Sequence, residues 1–392
     1  MAGHLMHVKS RSRRVTRWIG TLAALTLGVQ GAALAADPGI GNGVIVLGQS
    51  AAMTGPASSL GVEMREGSLA YFSRINATGG VNGRKIELRS LDDGYEPERA
   101  AANTRKLIEE ERVFMLFGYV GTPTSQASLP IFTAAKVPFF GAFTGAELLR
   151  TPVNHYVFNL RASYYDETET MVNHLVTSGK RNIAVFYQND SYGSAGLTGV
   201  ELAMKRRGLA ISATGTVERN TTEVANAVKS IGAAKPDAVI MVSAYRSCGE
   251  FVRQAKKAGI RADFLNVSFV GAKALATDLG GDGYGVVVAQ VVPFPWGANA
   301  PVVREYHKAM ASVNPQSALS FTSLEGYLAA KTLTEALRRV GHDLSRERLI
   351  AELERMREYD LGGFVVGFSP SNHSGSKFVD LTMIGREGRF VR

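Results

Sequence analysis

Short apolar segments alternate with helical patterns along most of this chain, and that alternation restricts the fold more than any other feature of the sequence. Residues 44–48 and 113–117 are apolar at almost every position, which is typical of parallel strands that helices cover on both faces. A helical stripe separates them, formed by Met64, Ser68, Tyr71, Phe72 and Ile75. The pattern predicts an α/β protein built on parallel sheets.

The strand–helix alternation occurs twice, first over 44–140 and again over 183–269, so we predict two doubly wound parallel-sheet lobes. A further strand, three helices and a glycine-rich strand region follow, at 286–292, 301–312, 321–340, 345–357 and 361–368. We expect the chain to pass between the lobes near 158–163, 287–293 and 361–368. Three passages form a hinge on which two lobes can close around a ligand.

The first 35 residues have the composition of a secretory signal peptide. Five basic residues and no acidic one occupy 1–17, an apolar stretch follows, and Ala33-Leu34-Ala35 provides an A-x-A cleavage site. A transmembrane anchor is the alternative, but glycines and polar residues interrupt the run that would have to cross a bilayer. We expect cleavage near Ala35 and a periplasmic protein. The predicted domains are 1–35 for the signal, 37–160 plus 290–363 for lobe 1, and 161–289 plus 364–392 for lobe 2.

Charge and cysteine content exclude several classes of protein. The formal net charge of +9 falls to about +4 once the five basic residues before the cut are removed. No long cluster of basic residues follows Arg17, so we predict no nucleic-acid partner. Cys248 is the only cysteine, which excludes an internal disulfide and a cysteine-based metal site. We expect a monomer that folds without a disulfide and without a cysteine-based metal site.

The loops after the strands are the candidate ligand site, because ligands of open α/β sheets bind beyond the carboxyl ends of the strands. These loops contain the hydroxyls of Ser50, Thr54, Thr122, Thr124, Thr144, Ser191, Ser243 and Ser268, and the rings of Tyr119, Phe143, Tyr192, Tyr245 and Phe269. Hydroxyls and helix N-termini suit a carboxylate, and aromatic rings suit an apolar ligand body. For any single Ser or Thr, helix capping is the alternative explanation.

Signatures of catalysis and of cofactor binding are missing from the sequence. It contains no G-x-S-x-G, H-E-x-x-H or G-x-x-x-x-G-K-[ST] motif. The acidic turn 92–96 is interpreted as a loop before a helix that starts at Pro97, because the ligand spacing of a calcium loop is absent. We predict that His373 lies in a surface turn. The sequence therefore favours a binding protein over an enzyme, with no cofactor and no metal.

Four segments carry a resemblance to a known family. They are Gly48-Gln-Ser-Ala-Ala-Met-Thr-Gly-Pro-Ala57, Asn76-Ala-Thr-Gly-Gly-Val-Asn-Gly-Arg-Lys85, Leu91-Asp-Asp-Gly-Tyr-Glu-Pro97 and Tyr187-Gln-Asn-Asp-Ser-Tyr-Gly193. In this order they resemble the leucine/isoleucine/valine-binding family, the periplasmic solute-binding proteins of bacterial ABC importers. The resemblance covers nearly all of 43–392. It implies a two-lobed class I binding protein that delivers amino acids or related small acids to a membrane permease.

The resemblance also implies a set of ligand-binding residues. Thr122 matches the hydroxyl that holds the ligand carboxylate, and the carbonyl and threonine that follow in the family are similar to Ala142 and Thr144. In the second lobe, Tyr192 matches the tyrosine before a glycine, and Tyr245 matches the aromatic residue after a strand. The family's disulfide is absent, because the chain has a single cysteine.

One departure from the family concerns the ligand ammonium. Where the branched-chain binders have a glutamate, residues 266–271 contain no acid, and Phe269 stands in that loop. A buried ammonium without a carboxylate partner would cost several kcal/mol. Either another acid replaces the glutamate, with Glu325 as the candidate, or the ligand has no amine, and Phe143 and Phe269 then favour an apolar or aromatic acid. In the second case a 2-oxo acid should bind at least as well as leucine.

Two other functional classes fit such a fold. An extracellular domain could sense a ligand and report it to a receptor, which would need a membrane segment or a partner. An exported hydrolase or lyase would need a nucleophile paired with a base, and the sequence does not reveal one.

Overall fold

The computed structural model describes residues 1–5, 7, 37–313, 316 and 318–392. The predicted signal peptide and its cleavage site therefore lie outside the described residues, apart from a few at the start of the chain. The described helices include none that combines the length and the apolar character needed to cross a membrane. The described residues from 37 onward form one compact unit.

The first series of elements surrounds a mostly parallel sheet. In chain order they are β1 (Ile40–Gly41), β2 (Val44–Ala51), α1 (Ser58–Ala77), β3 (Lys85–Asp92), α2 (Pro97–Glu109), β4 (Met115–Phe117), α3 (Thr122–Ala134), β5 (Phe139–Phe140) and β6 (Val157–Phe158). The parallel strands lie in the order β3-β2-β4-β5-β6, and β1 pairs antiparallel with β2. The order reverses between β2 and β4, and in sheets of this kind ligands bind at the carboxyl ends of the strands beside such a reversal.

The predicted tight turn between α1 and β3 has the expected backbone. Asn82 and Gly83 have φ angles of 50° and 79°, and Val81 bridges Arg84 across the turn. Two consecutive residues at positive φ are the requirement of a type I′ turn, which Asn-Gly meets with the least strain. The stripe predicted for α1 is also buried, except that Ile75 is half-buried, and Met64 is among its fully buried side chains.

The second series repeats the strand order of the first. Its elements are α4 (Tyr164–Thr177), β7 (Ile183–Gln188), α5 (Ser191–Lys205), β8 (Thr214–Val217), α6 (Ala225–Ala233), β9 (Ala238–Val242), α7 (Tyr245–Lys257), β10 (Asp263–Asn266), α8 (Ala272–Leu279) and β11 (Val287–Gln290). The parallel strands lie in the order β8-β7-β9-β10-β11. The predicted fold class, with two doubly wound parallel-sheet lobes, is confirmed.

The last part of the chain contributes elements to both lobes. Its elements are α9 (Pro301–Val313), α10 (Phe321–Val340), α11 (Arg346–Arg355), β12 (Tyr359–Asp360), β13 (Val365–Val366), β14 (Asp380–Ile384) and β15 (Phe390–Val391). Helices α9 and α10 pack against α1, whereas β14 pairs antiparallel with β11 and β15 extends that edge. The glycine-rich region predicted as a strand over 361–368 contributes only β13, which pairs with β12.

Contacts near the third passage keep part of the C-terminal segment beside the first sheet. The ring of Phe368 lies 5.5 Å from that of Phe158, and Ser374 bridges Asn159 just beyond β6. His373 is 4% exposed, and its ring stacks on Phe158 at 3.9 Å. The surface turn predicted for His373 is wrong, because the turn at 369–372 directs this residue onto β6. The domain boundaries stay a prediction.

Candidate ligand-binding site

Three hydroxyl groups meet where strands of the first sheet end. Thr122 is the first residue of α3, and its Oγ1 lies 2.7 Å from that of Thr144 in the loop after β5. Thr144 also donates to the phenolic oxygen of Tyr164, at 3.3 Å. We call Thr122, Thr144 and Tyr164 the hydroxyl cluster, and all three are fully buried. Since α3 begins without a side-chain cap, the backbone N–H groups of Thr122 and Thr124 in its first turn can bind an anion, whereas Pro123 has no N–H.

Four aromatic rings connect the loops of the two sheets. Phe269, just after β10, has its ring centroid 4.6 Å from Tyr192, 5.4 Å from Phe143 and 5.8 Å from Tyr95. We call Tyr95, Phe143, Tyr192 and Phe269 the aromatic cluster, and none of them is more than 1% exposed. The cluster adjoins the hydroxyl cluster, because Tyr164 lies 5.5 Å from Tyr192. Tyr95 and Tyr164 were not among the residues predicted from the sequence.

A buried ion pair lies beside the aromatic rings. Arg161 donates from Nε and Nη2 to the two carboxylate oxygens of Glu325, at 2.9 and 2.8 Å. Its guanidinium also lies 4.2 Å from the ring centre of Phe143, whereas Nη1 has no hydrogen-bond partner among the described residues. Burial disfavours the charged guanidinium, but Glu325 and Glu167 outweigh that effect and raise the pKa of Arg161. Sequence reasoning proposed Glu325 and missed Arg161.

A second buried glutamate faces the loop in which no acid was found. Glu167 accepts hydrogen bonds from the backbone N–H of Ser268, at 2.7 Å, and from its hydroxyl, at 3.0 Å. Burial raises the pKa of Glu167 to about 7, although Arg161 and the two bonds from Ser268 lower it, and Glu325 raises it further. We call Arg161, Glu167 and Glu325 the charged cluster.

The sequence contained a signal for Glu167 that was not used. Helix α4 begins with a capping box between Ser163 and Asp166. Its buried face includes Tyr164, Thr168 and Met171, and Glu167 falls on the same face at helical spacing. An acid on the buried side of an amphipathic helix requires a partner or a function.

The other predicted residues lie outside these three clusters. Ser50 donates to Asp93 at 2.7 Å and accepts from Asn103. Ala142 is part of the core, and its carbonyl accepts the N–H of Thr144, at 2.9 Å. Tyr245 is the first residue of α7 and is 5% exposed. The residues predicted as ligand contacts are Ser50, Thr122, Ala142, Thr144, Tyr192, Tyr245, Phe269 and Glu325. Their contact with a ligand stays a prediction.

The acidic turn after β3 is held by the protein's own donors. Asp92 accepts from the hydroxyl of Thr54 and from the N–H of Met53, and these bonds keep its pKa below the usual range although burial opposes them. Burial raises the pKa of Asp93 to about 6, which its bond from Ser50 lowers only in part. In the described part of the chain, no group of three or more His, Cys, Asp or Glu side chains is arranged to hold a metal ion.

The chain matches known proteins along most of its length. A family model described as periplasmic binding protein matches residues 44–388. A possible leucine/isoleucine/valine-binding protein from Rhodopirellula baltica is 38% identical and superposes with a TM-score of 0.85 over 90% of this chain and 97% of its own. A substrate-binding periplasmic protein from Ralstonia solanacearum is 33% identical, with a TM-score of 0.84 over 88% and 99%.

A sequence relative agrees with these structures. The Leu/Ile/Val-binding protein homolog 7 of Brucella abortus is 27% identical over 323 residues, which cover 79% of this chain and 80% of the relative. The solved structures share the two-lobed arrangement of parallel sheets found in this chain. The chain therefore belongs to the periplasmic binding protein family and has its class I, two-lobed fold.

Proposed function

We propose that this protein is the substrate-binding component of an ABC importer, which captures an amino acid or a related small carboxylate between its lobes. The observation that carries the proposal is the hydroxyl cluster at the start of α3. Thr122 and Thr144 lie 2.7 Å apart beside an uncapped helix N-terminus. Hydroxyls and amides in this arrangement can exchange their mutual hydrogen bonds for bonds to a carboxylate.

The aromatic cluster supports an apolar ligand body next to that carboxylate. Phe143 and Tyr95 come from loops of the first sheet, and Tyr192 and Phe269 come from loops of the second. Rings from both sides of a cleft can separate to admit an apolar side chain and then close on it. The sequence led us to expect the third passage between the lobes near 361–368. On this proposal it lies instead at 375–379, because the bridge from Ser374 to Asn159 keeps the preceding residues beside the first sheet.

Membership of the family implies a location outside the cytoplasm. Export through the signal peptide at 1–35, with cleavage near Ala35, belongs to the proposal, as does delivery of the ligand to the permease subunits of the importer. The names of the relatives support branched-chain amino acids as the first ligands to test.

Calorimetric titration of the mature protein tests the proposal. Leucine, its 2-oxo analogue 4-methyl-2-oxopentanoate and leucinamide, which lacks the carboxylate, form a matched series. We expect at least one of the two carboxylates to bind and leucinamide to bind far more weakly, because the hydroxyl cluster then lacks its charged acceptor. Native mass spectrometry of freshly purified protein should show a bound small acid. Equal binding of leucinamide, or no binding of any small carboxylate in a wider panel, would overturn the proposal.

A further inference from the structure

The charged cluster contains two carboxylates and one cation. Arg161 uses Nε and Nη2 on Glu325. Glu167 accepts only from the neutral donors of Ser268 among the hydrogen bonds of the described residues. A carboxylate has about four acceptor positions, so Glu167 retains roughly two that a further donor can use. A buried carboxylate without a directly bonded cation is costly, which makes this position favourable for an incoming positive group.

The position of Glu167 places it at the junction of the other two clusters. Its partner Ser268 precedes Phe269 of the aromatic cluster, in the loop that follows the carboxyl end of β10. One helical turn earlier on α4, Tyr164 accepts the hydrogen bond from Thr144. A ligand whose carboxylate binds the hydroxyl cluster would therefore have its α-substituent close to Glu167.

We propose that Glu167 binds the ammonium group of the ligand, so that the site selects α-amino acids over carboxylic acids without an amine. This inference rests on the proposed function and narrows its ligand class. Glu167 lies on α4 and reaches the loop at 266–271 from outside it. The family resemblance instead implied a glutamate within the loop itself. Glu325 does not fill this role, because Arg161 already neutralises it. If Glu167 has this role, the ligand carries an amine, and the alternative in which a 2-oxo acid binds at least as well as leucine does not hold, since an acid does face this loop.

Protonation of Glu167 should control the affinity for amino acids. The groups around its carboxylate are Arg161 on the passage between the lobes, Glu325 on α10, Tyr164 on the same helix and Tyr192 on α5. Because burial raises its pKa to about 7, a growing fraction of the carboxyl is protonated below neutral pH and cannot pair with an ammonium. Amino-acid affinity should fall by up to about tenfold per pH unit below that value. Binding of an amine-free acid should not weaken in that range, because protonation removes a repulsion.

Titration of two ligand pairs tests the inference. Leucine with 4-methyl-2-oxopentanoate, and phenylalanine with phenylpyruvate, are compared on the wild type, on Glu167→Gln and on the matched control Glu169→Gln. Glu169 lies on the same helix but is 37% exposed and pairs with Arg206 and Arg207. We expect the wild type to bind the amino acid of at least one pair about tenfold or more tighter than its 2-oxo analogue. Glu167→Gln should weaken that amino acid by about ten- to a hundredfold and spare the analogue, whereas Glu169→Gln should change neither.

The wild-type protein provides a second measurement that does not depend on folding of the variant. Titrations between pH 8 and 5.5, in buffers with different ionisation enthalpies, should show falling amino-acid affinity and release of up to one proton per ligand bound. Equal or tighter binding of the amine-free acids, or an amino-acid affinity that does not change with pH, would overturn the inference and leave the proposed function intact. Failure of every small carboxylate to bind would instead overturn the proposed function, and this inference with it.

Discussion

The hydroxyl cluster and the charged cluster are buried neighbours, but their polar groups are satisfied in different ways. In the hydroxyl cluster, Thr122 and Thr144 share a hydrogen bond in which either oxygen can be the donor. In the charged cluster, Arg161 is held in fixed bidentate geometry by Glu325, with the two side chains 1% and 3% exposed. Neutral hydroxyls can exchange partners at little free-energy cost, whereas a buried ion must keep its counter-ion.

This difference separates two roles within the proposed site. The hydroxyl cluster can release its internal bonds and accept a ligand in their place. The charged cluster must remain intact whether or not a ligand is present. Among the hydrogen bonds of the described residues, Glu325 accepts from the cation Arg161, whereas Glu167 accepts only from the neutral donors of Ser268. Removing a hydroxyl should therefore affect binding first, and removing an ion should affect folding first.

The largest effect is expected from breaking the buried ion pair. Arg161→Met leaves Glu325 buried without its partner, so the free energy of unfolding should fall by about 3–5 kcal/mol. The matched control Arg206→Met removes a half-exposed arginine from its pair with Glu169 and should change the same quantity by about 1 kcal/mol or less. Urea denaturation measures both.

A double variant makes this prediction sharper. Arg161→Met combined with Glu325→Leu removes both charges and should recover most of the lost stability. If the single variant Arg161→Met were as stable as the wild type, the ion pair between Arg161 and Glu325 would not be required for folding.

The second effect concerns the hydroxyl cluster. Thr144→Val removes the hydroxyl that we propose donates to the ligand carboxylate. It should weaken ligand binding by about ten- to a hundredfold, since a hydrogen bond to a charged group contributes roughly 1.5–3 kcal/mol. Stability of the ligand-free protein should fall by only about 1 kcal/mol, because the lost bonds connect neutral groups. Calorimetric titration and thermal unfolding measure the two quantities.

A valine at another buried threonine provides the control. The hydroxyl of Thr334 on α10 has no hydrogen-bond partner among the described residues. Thr334→Val should therefore leave binding unchanged and stability unchanged or slightly higher. Normal affinity in Thr144→Val, together with a large loss of stability, would instead assign Thr144 a structural role.

The third effect is a pH dependence of stability that arises from Glu167. Its pKa in the folded protein is about 7, above its ordinary value of 4.5, so the folded state holds the proton more tightly than the unfolded state does. The resulting stabilisation is complete below pH 4.5 and is lost as the pH rises through 7, by on the order of 3 kcal/mol. Denaturation of the wild type and of Glu167→Gln between pH 4.5 and 8 measures the free energy of unfolding of each. The difference between the two proteins should decrease as the pH rises towards 7.

Glu169 should behave in the opposite way. Hydrogen bonds from Arg207 and Arg206 hold the pKa of Glu169 below its ordinary value although burial opposes them slightly. Its stabilisation is therefore present above pH 4.5 and is lost as the pH falls. If the free energy of unfolding changed with pH in the same way for the wild type and Glu167→Gln, from pH 8 to 4.5, a raised pKa for Glu167 would be contradicted.

The smallest change should be seen in molecular dimensions. Phe269 contacts Tyr95 and Phe143 from the opposite sheet, so a ligand that enters between the lobes should stabilise their closed arrangement. Small-angle scattering should give a slightly smaller radius of gyration at saturating ligand than without it, and leucinamide at the same concentration serves as the control. Identical curves at saturation would argue against lobe closure.

Sequence analysis predicted the elements that repeat with a local period. The run 113–117 contains β4, the stripe through Met64 forms the buried face of α1, and Asn82 with Gly83 forms the predicted turn. These features depend on neighbours within a few residues along the chain, so the sequence contains all the information they need. Thr122 and Thr144 could be nominated for a related reason, since loops after parallel strands meet at one edge of a sheet.

Tertiary structure alone decided how the charges are paired. Glu167 and Ser268 are 101 positions apart, and Arg161 and Glu325 are 164 apart. No local period connects such residues, and an acid on a buried helix face reveals that a partner is needed without revealing which one. The sequence thus determined two parallel-sheet lobes and the loops at their edges. Which acid faces the loop at 266–271 was decided by the packing of α4 against that loop, because burial makes each charge depend on the groups that folding brings within hydrogen-bond distance.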